Sequence, residues 1–429
     1  MTNATVKETT AILDLKKLAL QEKSYLSYPP TVYSELEPFE HNDPGHRADP
    51  TKASIYNNAE KIFDLTPNIG TEIHGLQLSQ LTNQQKDDLA LLVAERGVVF
   101  FRDQDLNYQQ GKELGRYYGP LHIHLTEGHV PNEPEVFPIF YDKSDEANKI
   151  SSYFRTASDG WHSDVSYELQ PPGFTFLKLD TLPTIGGDTL WSSSYAAYDR
   201  LSPALQKFLE GLEVVHSAKD QGLGAKARGI TLRRQNVEHT HPLIRTHPVT
   251  GWKGLFVQPI FVHHIVGLSK RESDTILNFL YEHIYGGHDF QVRFKWTEDT
   301  IAVWDNRVTT HCAIFDYLNI DRRHGWRITA QAERPYYDPK SKSRKITVLY
   351  FAAARDITQR PSETLTVDSD WTLARLTEKL VDMYGSPLEK ILGTSMYAVN
   401  MDYVSSSDVS TTNLKPHDEI AIIPPVSGG

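Results

Sequence analysis

Cysteine is nearly absent from this chain: Cys312 stands alone among 429 residues. An internal disulfide is excluded, and a secreted protein of this length ordinarily carries several. A reducing compartment follows, with the cytoplasm as the expected location. Basic residues are also in short supply, 44 Lys and Arg against 55 Asp and Glu, for a net charge of -11. A nucleic-acid partner would need a basic face for its phosphates, so none is expected, although local anion sites stay open. No apolar run reaches the roughly 20 residues of a membrane helix. Glu8 and Asp14 interrupt the N-terminal stretch where a signal peptide keeps a clean apolar core. No membrane association is expected, no internal repeat is found, and a homo-oligomer is left open.

What is present reads as globular, with 39% hydrophobic and 23% charged residues. The length is too great for one ordinary core at roughly 150 residues per domain. Residues 1–58, rich in Pro, Glu and Asp, lack periodicity and read as an arm lying on a folded body. The role of the arm is not legible. From Ile62 onward the pattern changes. Thr82 with Gln85 forms a capping box, Leu89, Leu92 and Val93 make an apolar stripe, and Gly97 closes the helix. Val98–Phe101 then reads as a buried strand, followed by short strands through 172–194, 243–262 and 290–333 and a helix near 268–284. The first unit, 59–337, is therefore mainly β with helices packed outside.

The segment Asp338–Lys345, DPKSKSRK, contains no apolar residue and five charged ones, and reads as a linker over 338–345. Beyond it, 346–429 shows a strand Ile346–Ala353, a helix with Leu373, Leu376, Leu380, Val381 and Tyr384 on one face and Gly385 at its end, and strands Met396–Val404 and Glu419–Ile423. This is the order of a small α+β β-grasp, or ubiquitin-like, domain.

Alternate residues of a strand share a face, so His162 and Asp164 in GWHSDVSYE could offer an imidazole and a carboxylate to one metal ion. The spacing alone is weak. His41 and Asp43 repeat it in a Pro-flanked loop, in a chain with 18 histidines. Three further segments gather around the second pair: GGDTLW at Gly186–Trp191, VWDNRVTTH ending in His311, and DRRHGWR ending in Arg327. Together they resemble the taurine/alkylsulfonate dioxygenase family, and the likeness runs from about Phe63 to Pro335.

That resemblance implies a double-stranded β-helix, or jelly roll, with Fe(II) held by His162, Asp164 and His311 and 2-oxoglutarate as co-substrate. Two histidines and one carboxylate leave three metal positions open, the arrangement typical of non-haem oxygenases. It implies further that Arg323 binds the far carboxylate of 2-oxoglutarate, helped by Thr189, since a guanidinium fork matches a carboxylate. Between His311 and the arginines the chain is one residue longer than the family pattern, which makes Arg322 a rival for that role. Arg327 matches the position that binds a substrate sulfonate, and His124 and Phe261 match positions lining the substrate site. Glu127 stands where the taurine site has a tyrosine and Ser158 where it has an asparagine, so the substrate is expected to be another alkylsulfonate or a sulfate ester. The implied reaction decarboxylates 2-oxoglutarate and hydroxylates the carbon bearing sulfur, which then expels sulfite and leaves an aldehyde.

VLYFAAARD at Val348–Asp356 and DEIAIIPPVSGG at Asp418–Gly429 resemble the small, sulfur-carrying subunit of molybdopterin synthase. A Gly-Gly tail carries no side chains and can thread into a narrow active site, and Pro424 and Pro425 stop the last strand short of it. The resemblance implies adenylation and thiocarboxylation of Gly429, next to Gly428, by an activating enzyme, then sulfur donation within the large synthase subunit. Carriers for thiamine synthesis or tRNA thiolation are rivals. An alternative is that only one of the two activities is physiological, and the sequence leaves open whether the fusion joins two neighbouring reading frames.

Overall fold

The computed structural model describes residues 32–126, 128, 130–141, 160–227, 230, 232–317, 321–341, 343, 345–367, 371–414 and 418–425. The strands of the first unit are β1 (Lys61–Asp64), β2 (Thr71–His74), β3 (Val98–Phe101), β4 (Phe137–Tyr141), β5 (Pro172–Thr181), β6 (Thr189–Ser193), β7 (Glu213–Ser217), β8 (Glu238–Pro242), β9 (Ile244–Thr246), β10 (Lys253–Leu255), β11 (Val262–Ile265), β12 (Gln291–Phe294), β13 (Ile301–Asp305), β14 (Thr309–Ala313) and β15 (Arg323–Gln331). A seven-stranded sheet runs β1-β2-β3-β13-β5-β15-β4, and a three-stranded sheet runs β12-β6-β14.

These two sheets are the faces of a jelly roll. Phe100 of β3, Leu177 and Leu179 of β5, Trp191 of β6, Phe294 of β12 and Trp304 of β13 form one buried cluster between them. Phe100 and Phe294 stack with ring centroids 3.6 Å apart. Each such ring buries about 150–250 Å², worth roughly 4–6 kcal/mol of gross transfer free energy. The other face of the large sheet is covered by the helices Asn83–Arg96 and Tyr108–Tyr118, whose Leu89, Val93, Leu114 and Tyr118 join Phe176, Val303 and Ile328 in a second cluster. The Thr82–Gln85 capping box and the Gly97 stop are present as expected, with Gly97 at φ +73°.

The arm is driven deeper into the body than its composition suggests. Phe39 exchanges two main-chain hydrogen bonds with the Gln170 side chain, and Ile55 is fully buried in the core. Asp43, half of the first H-x-D pair, accepts from Gly45 N at 2.8 Å and pairs with buried Arg307 at 2.6 Å. Arg307 also binds Asp305 at 2.6 Å and Glu333 at 3.0 Å, and Arg245 reaches Glu333 at 2.5 Å.

This network carries a pH dependence. Burial, the largest influence on Glu333, pushes its carboxyl up, but Arg307 and Arg245 outweigh it and hold the group at about 2 against an ordinary 4.5. A depressed folded value means that the stabilisation is complete above about pH 4.5 and is lost as pH falls toward 2. The thermal midpoint is expected to drop through that window, and Glu333→Gln should lower the midpoint at neutral pH while flattening the acid limb. Melting curves at stepped pH check it.

The C-terminal strands are β16 (Lys345–Tyr350), β17 (Ser362–Thr366), β18 (Met396–Val399), β19 (Asp402–Val404) and β20 (Glu419–Ile423), in the order β17-β16-β20-β18-β19. β16 and β20 pair in parallel at the centre, and Leu373, Leu376 and Leu380 of the helix Leu373–Tyr384 pack on the sheet, a β-grasp. Three readings need correction. The first strand begins at Lys345, inside the expected linker, and stops at Tyr350, because Ala352–Thr358 turns into a helix. Met396–Val404 is two strands joined at Asn400 and Met401, both at positive φ, the conformation of a tight hairpin turn. A short helix, Ser386–Leu392, was not anticipated. The last strand ends at Ile423 before Pro424, as expected; Gly428 and Gly429 lie outside the described residues.

Candidate active site

The segment carrying His162 and Asp164 is not a strand. His162 forms an isolated antiparallel bridge with His311 of β14, through reciprocal main-chain hydrogen bonds of 3.0 and 2.8 Å. Ser163 Oγ donates to Thr309 O at 2.7 Å, tightening the same junction. One bridge therefore does what the expected strand would have done, and Asp164 sits in the turn that follows. Val165 is held at φ +39°, uncommon for a β-branched residue and costing roughly 1–3 kcal/mol.

His162 Nδ1 donates to Gly160 O at 2.8 Å, which leaves Nε2 bare. That Nε2 lies 3.7 Å from Asp164 Oδ1, and His311 Nε2 lies 3.8 Å from the same oxygen. All three donors fall within 4.8 Å of one another. A metal–imidazole bond of about 2.1 Å puts neighbouring donors about 3 Å apart, so inward shifts of less than about 1 Å complete the site. Asp164 and His311 are buried and His162 is partly open to the cavity. Burial raises the Asp164 carboxyl, but Arg327 and the two imidazoles hold it well below the usual range. Burial lowers His311, which favours the neutral ligand form. His41 and Asp43 offer no such site: Asp43 is committed to Arg307 and Gly45.

The donors open on a cavity of about 210 Å³ that is also lined by His124, Thr189, Phe261, Arg323 and Arg327. Arg323 Nη2 donates to Thr189 Oγ1 at 3.3 Å, and Trp296 Nε1 donates to the same oxygen at 3.1 Å. Arg323 is buried, its guanidinium pushed down by desolvation. Arg323 lines the cavity and Arg322 does not, because successive residues of a strand point to opposite faces. Arg327 Nη1 lies 2.5 Å from Asp164 Oδ1 and its guanidinium covers the Phe137 ring at 4.4 Å. His124 is kept well below its ordinary value, first by burial and then by Arg327. Its Nδ1 accepts from Thr126 N at 3.4 Å, which places the proton on Nε2.

The structure thus gathers His162, Asp164, His311, Thr189, Arg323, Arg327, His124 and Phe261 around one space. Glu127 and Ser158 lie outside the described residues. Sequence reasoning missed Phe137, Val165 and Gln221 on the cavity wall. Gln221 comes from the helix Lys219–Ala227, where its Oε1 accepts from Tyr167 OH at 2.8 Å; no motif marks it.

Two imidazoles and one carboxylate on a single face, in a jelly roll with Arg323 and Arg327 on the same cavity, define a mononuclear non-haem iron oxygenase. The chain belongs to the taurine catabolism dioxygenase TauD, TfdA family, whose model matches residues 61–329. It is accordingly a 2-oxoglutarate-dependent dioxygenase, and its two-nitrogen, one-oxygen donor set fits the Fe(II) that the family uses. It is 42% identical to an alpha-ketoglutarate-dependent sulfonate dioxygenase of Saccharomyces cerevisiae, over 77% of this chain and 83% of that one. An alkylsulfatase of Acinetobacter baylyi is 30% identical, over 60% and 80%. A solved taurine dioxygenase structure from Burkholderia xenovorans, described as putative and alpha-ketoglutarate-dependent, superposes with a TM-score of 0.56 at 34% identity, covering 66% of this chain and 95% of that one. Residues 348–429 match the ThiS family. No helix among the described residues is long and apolar enough to cross a membrane.

Proposed function

We propose that residues 59–337 hydroxylate an alkylsulfonate and release sulfite, and that residues 346–429, joined through 338–345, serve as a sulfur carrier for molybdopterin synthase in the cytoplasm. His162, Asp164 and His311 are the metal ligands in this reading. Fe(II) with 2-oxoglutarate, when bound, supplies dioxygen activation and oxidation of a C–H bond. The observation that carries the dioxygenase half is a pair of arginines on one strand beside the triad, Arg323 buried and Arg327 half-buried. Arg323 and Arg327 stand four residues apart on β15, about 13 Å along it, which provides two separate anion positions.

Arg323 takes the far carboxylate of 2-oxoglutarate. Among the described residues it forms no ion pair with a carboxylate, and a buried guanidinium favours an anion. Thr189 already accepts two hydrogen bonds, from Trp296 and Arg323, so its own hydroxyl hydrogen is free to point at that carboxylate. Arg327 and the Nε2–H of His124 hold the substrate's anionic head, and Phe261, set edge-on to His162, walls the alkyl part. Their task is to place one C–H bond beside the metal position. Similarity to the alkylsulfatase favours alkyl sulfates as the second reading.

Removing one arginine should separate the two roles. Arg323→Ala is expected to raise the 2-oxoglutarate requirement roughly ten- to hundredfold, the cost of charge-assisted hydrogen bonds. Arg327→Ala should weaken sulfonate use by a similar factor and leave uncoupled 2-oxoglutarate decarboxylation. The inverse pattern in 2-oxoglutarate consumption and sulfite release rejects the assignment, and sulfate release from alkyl sulfates alone selects the second reading.

For the carrier half, the β-grasp order and the match to the ThiS family support the reading. An activating enzyme and a large synthase subunit are its implied partners.

A further inference from the structure

We propose that Asn306 is a positioning residue that presents Asp164 to the metal through one oxygen only, acting with Thr175. Asn306 is buried in the turn between β13 and β14. Its Oδ1 accepts from Asp164 N at 3.1 Å and from Trp304 Nε1 at 3.0 Å. Its Nδ2 donates to Thr175 Oγ1 at 2.7 Å and to Gly173 O at 3.4 Å. All four hydrogen-bonding positions of the amide are used. The orientation is therefore fixed, since a flipped amide would set its NH2 against two donors and its oxygen against a carbonyl.

The same amide reaches Asp164 at both ends. It holds the main chain directly, and it orients the one hydroxyl, Thr175 Oγ1, that faces the carboxylate. Because Asn306 donates to Thr175 Oγ1, the Thr175 hydrogen is free to point away, toward Asp164 Oδ2 at 3.5 Å or Thr329 Oγ1 at 3.3 Å. Oδ2 faces the sheet, where Thr175 Oγ1 lies 3.5 Å from it, while Oδ1 faces both imidazoles and the Arg327 guanidinium. A carboxylate fixed this way occupies one metal position, so co-substrate and dioxygen keep three. The strained Val165 backbone is held at its N-terminal side by this contact. On its far side Ser166 Oγ is bound by His216 Nδ1 at 2.8 Å and Gln258 Nε2 at 2.9 Å.

Asn306 itself is kept in place from behind. Asp305 and Arg307, its neighbours, belong to the buried ion network that includes Asp43 of the arm. The arm thereby braces the turn that orients the ligand, a role for residues lying before the 61–329 family match.

The proposal rests on the triad being the metal site, and the test separates the two. Metal-free full-length protein is titrated anaerobically with Fe(II) by equilibrium dialysis, and with Co(II), whose visible spectrum reports coordination geometry. Thr175→Val keeps shape and loses the hydroxyl; it is expected to raise the Fe(II) Kd about tenfold or more and to alter the Co(II) spectrum, while the metal-free protein stays folded with a melting point lowered by the Asn306 N–H left without its acceptor. Thr175→Ser should stay within about threefold of wild type. Asn306→Leu should weaken binding further still. A Thr175→Val protein that binds Fe(II) like wild type, with the wild-type Co(II) spectrum, overturns the positioning role and leaves the metal site standing. Wild-type protein that binds no Fe(II) overturns the metal site itself.

Discussion

Alanine in place of His162, Asp164 or His311, one at a time, is expected to abolish Fe(II)-dependent consumption of 2-oxoglutarate. The loss should exceed the roughly 10–100-fold that removal of an outer partner costs, because the ion loses a donor and the site its shape. The bridge between His162 and His311 is made of main chain, so these substitutions leave its hydrogen bonds in place and should alter metal binding more than folding. Asp164→Ala has a second consequence: Arg327 loses the oxygen it holds at 2.5 Å and becomes a half-buried cation without that carboxylate. It should therefore be the least stable of the three. His41→Ala is the control, since Asp43 is engaged by Arg307 and not by a metal site. Oxygen-electrode turnover and iron content measured on the same preparations decide the matter; full turnover in His162→Ala sinks the ligand assignment, and loss in His41→Ala selects the other pair.

Deleting Gly429 should abolish sulfur transfer completely while iron-dependent turnover continues. The proposed chemistry takes place on a main-chain carboxyl group and uses no side chain of the carrier, so no dioxygenase ligand contributes to it. β20 is the middle strand, paired with β16 on one side and β18 on the other, and its pairing stops at Ile423 where Pro424 offers no N–H. The chain must leave the sheet there. Intact mass after incubation with the activating enzyme, ATP and a sulfur donor should show a thiocarboxylate on the full chain and none on the truncated one. No shift on either, with an activating enzyme that loads another carrier, rejects the carrier role; a carrier that loads but does not feed molybdopterin synthesis points to a different thiolation pathway.

Much of this was legible in local sequence because its causes are local. A capping box is satisfied within four residues, so Thr82 and Gln85 announced a helix start that the fold keeps. Continuous apolar residues at Val98–Phe101 marked a fully buried strand. The expectations that failed were those where local pattern met a distant partner. GWHSDVSYE alternates like a strand, yet only His162 pairs, because β14 gives it one bridge before the chain turns at Asp164. The polar run before residue 346 masked Lys345 as the first residue of β16, which pairs with Thr366.

The sequence by itself determined the residue types, the two family resemblances and the metal-ligand candidates, since each is carried by a short motif. Tertiary structure alone decided which candidates meet. His162, Asp164 and His311 converge because the turn after β13 delivers β14 to the H-x-D segment. Arg323, and not Arg322, enters the cavity because β15 begins with its side chain inward. Asp43 joins Arg307 rather than a metal, and Asn306 spans Asp164 and Thr175. The physical reason is the same in each case: these contacts join residues far apart in the chain, and their partners are fixed by sheet register and buried charge, neither of which any local spacing encodes.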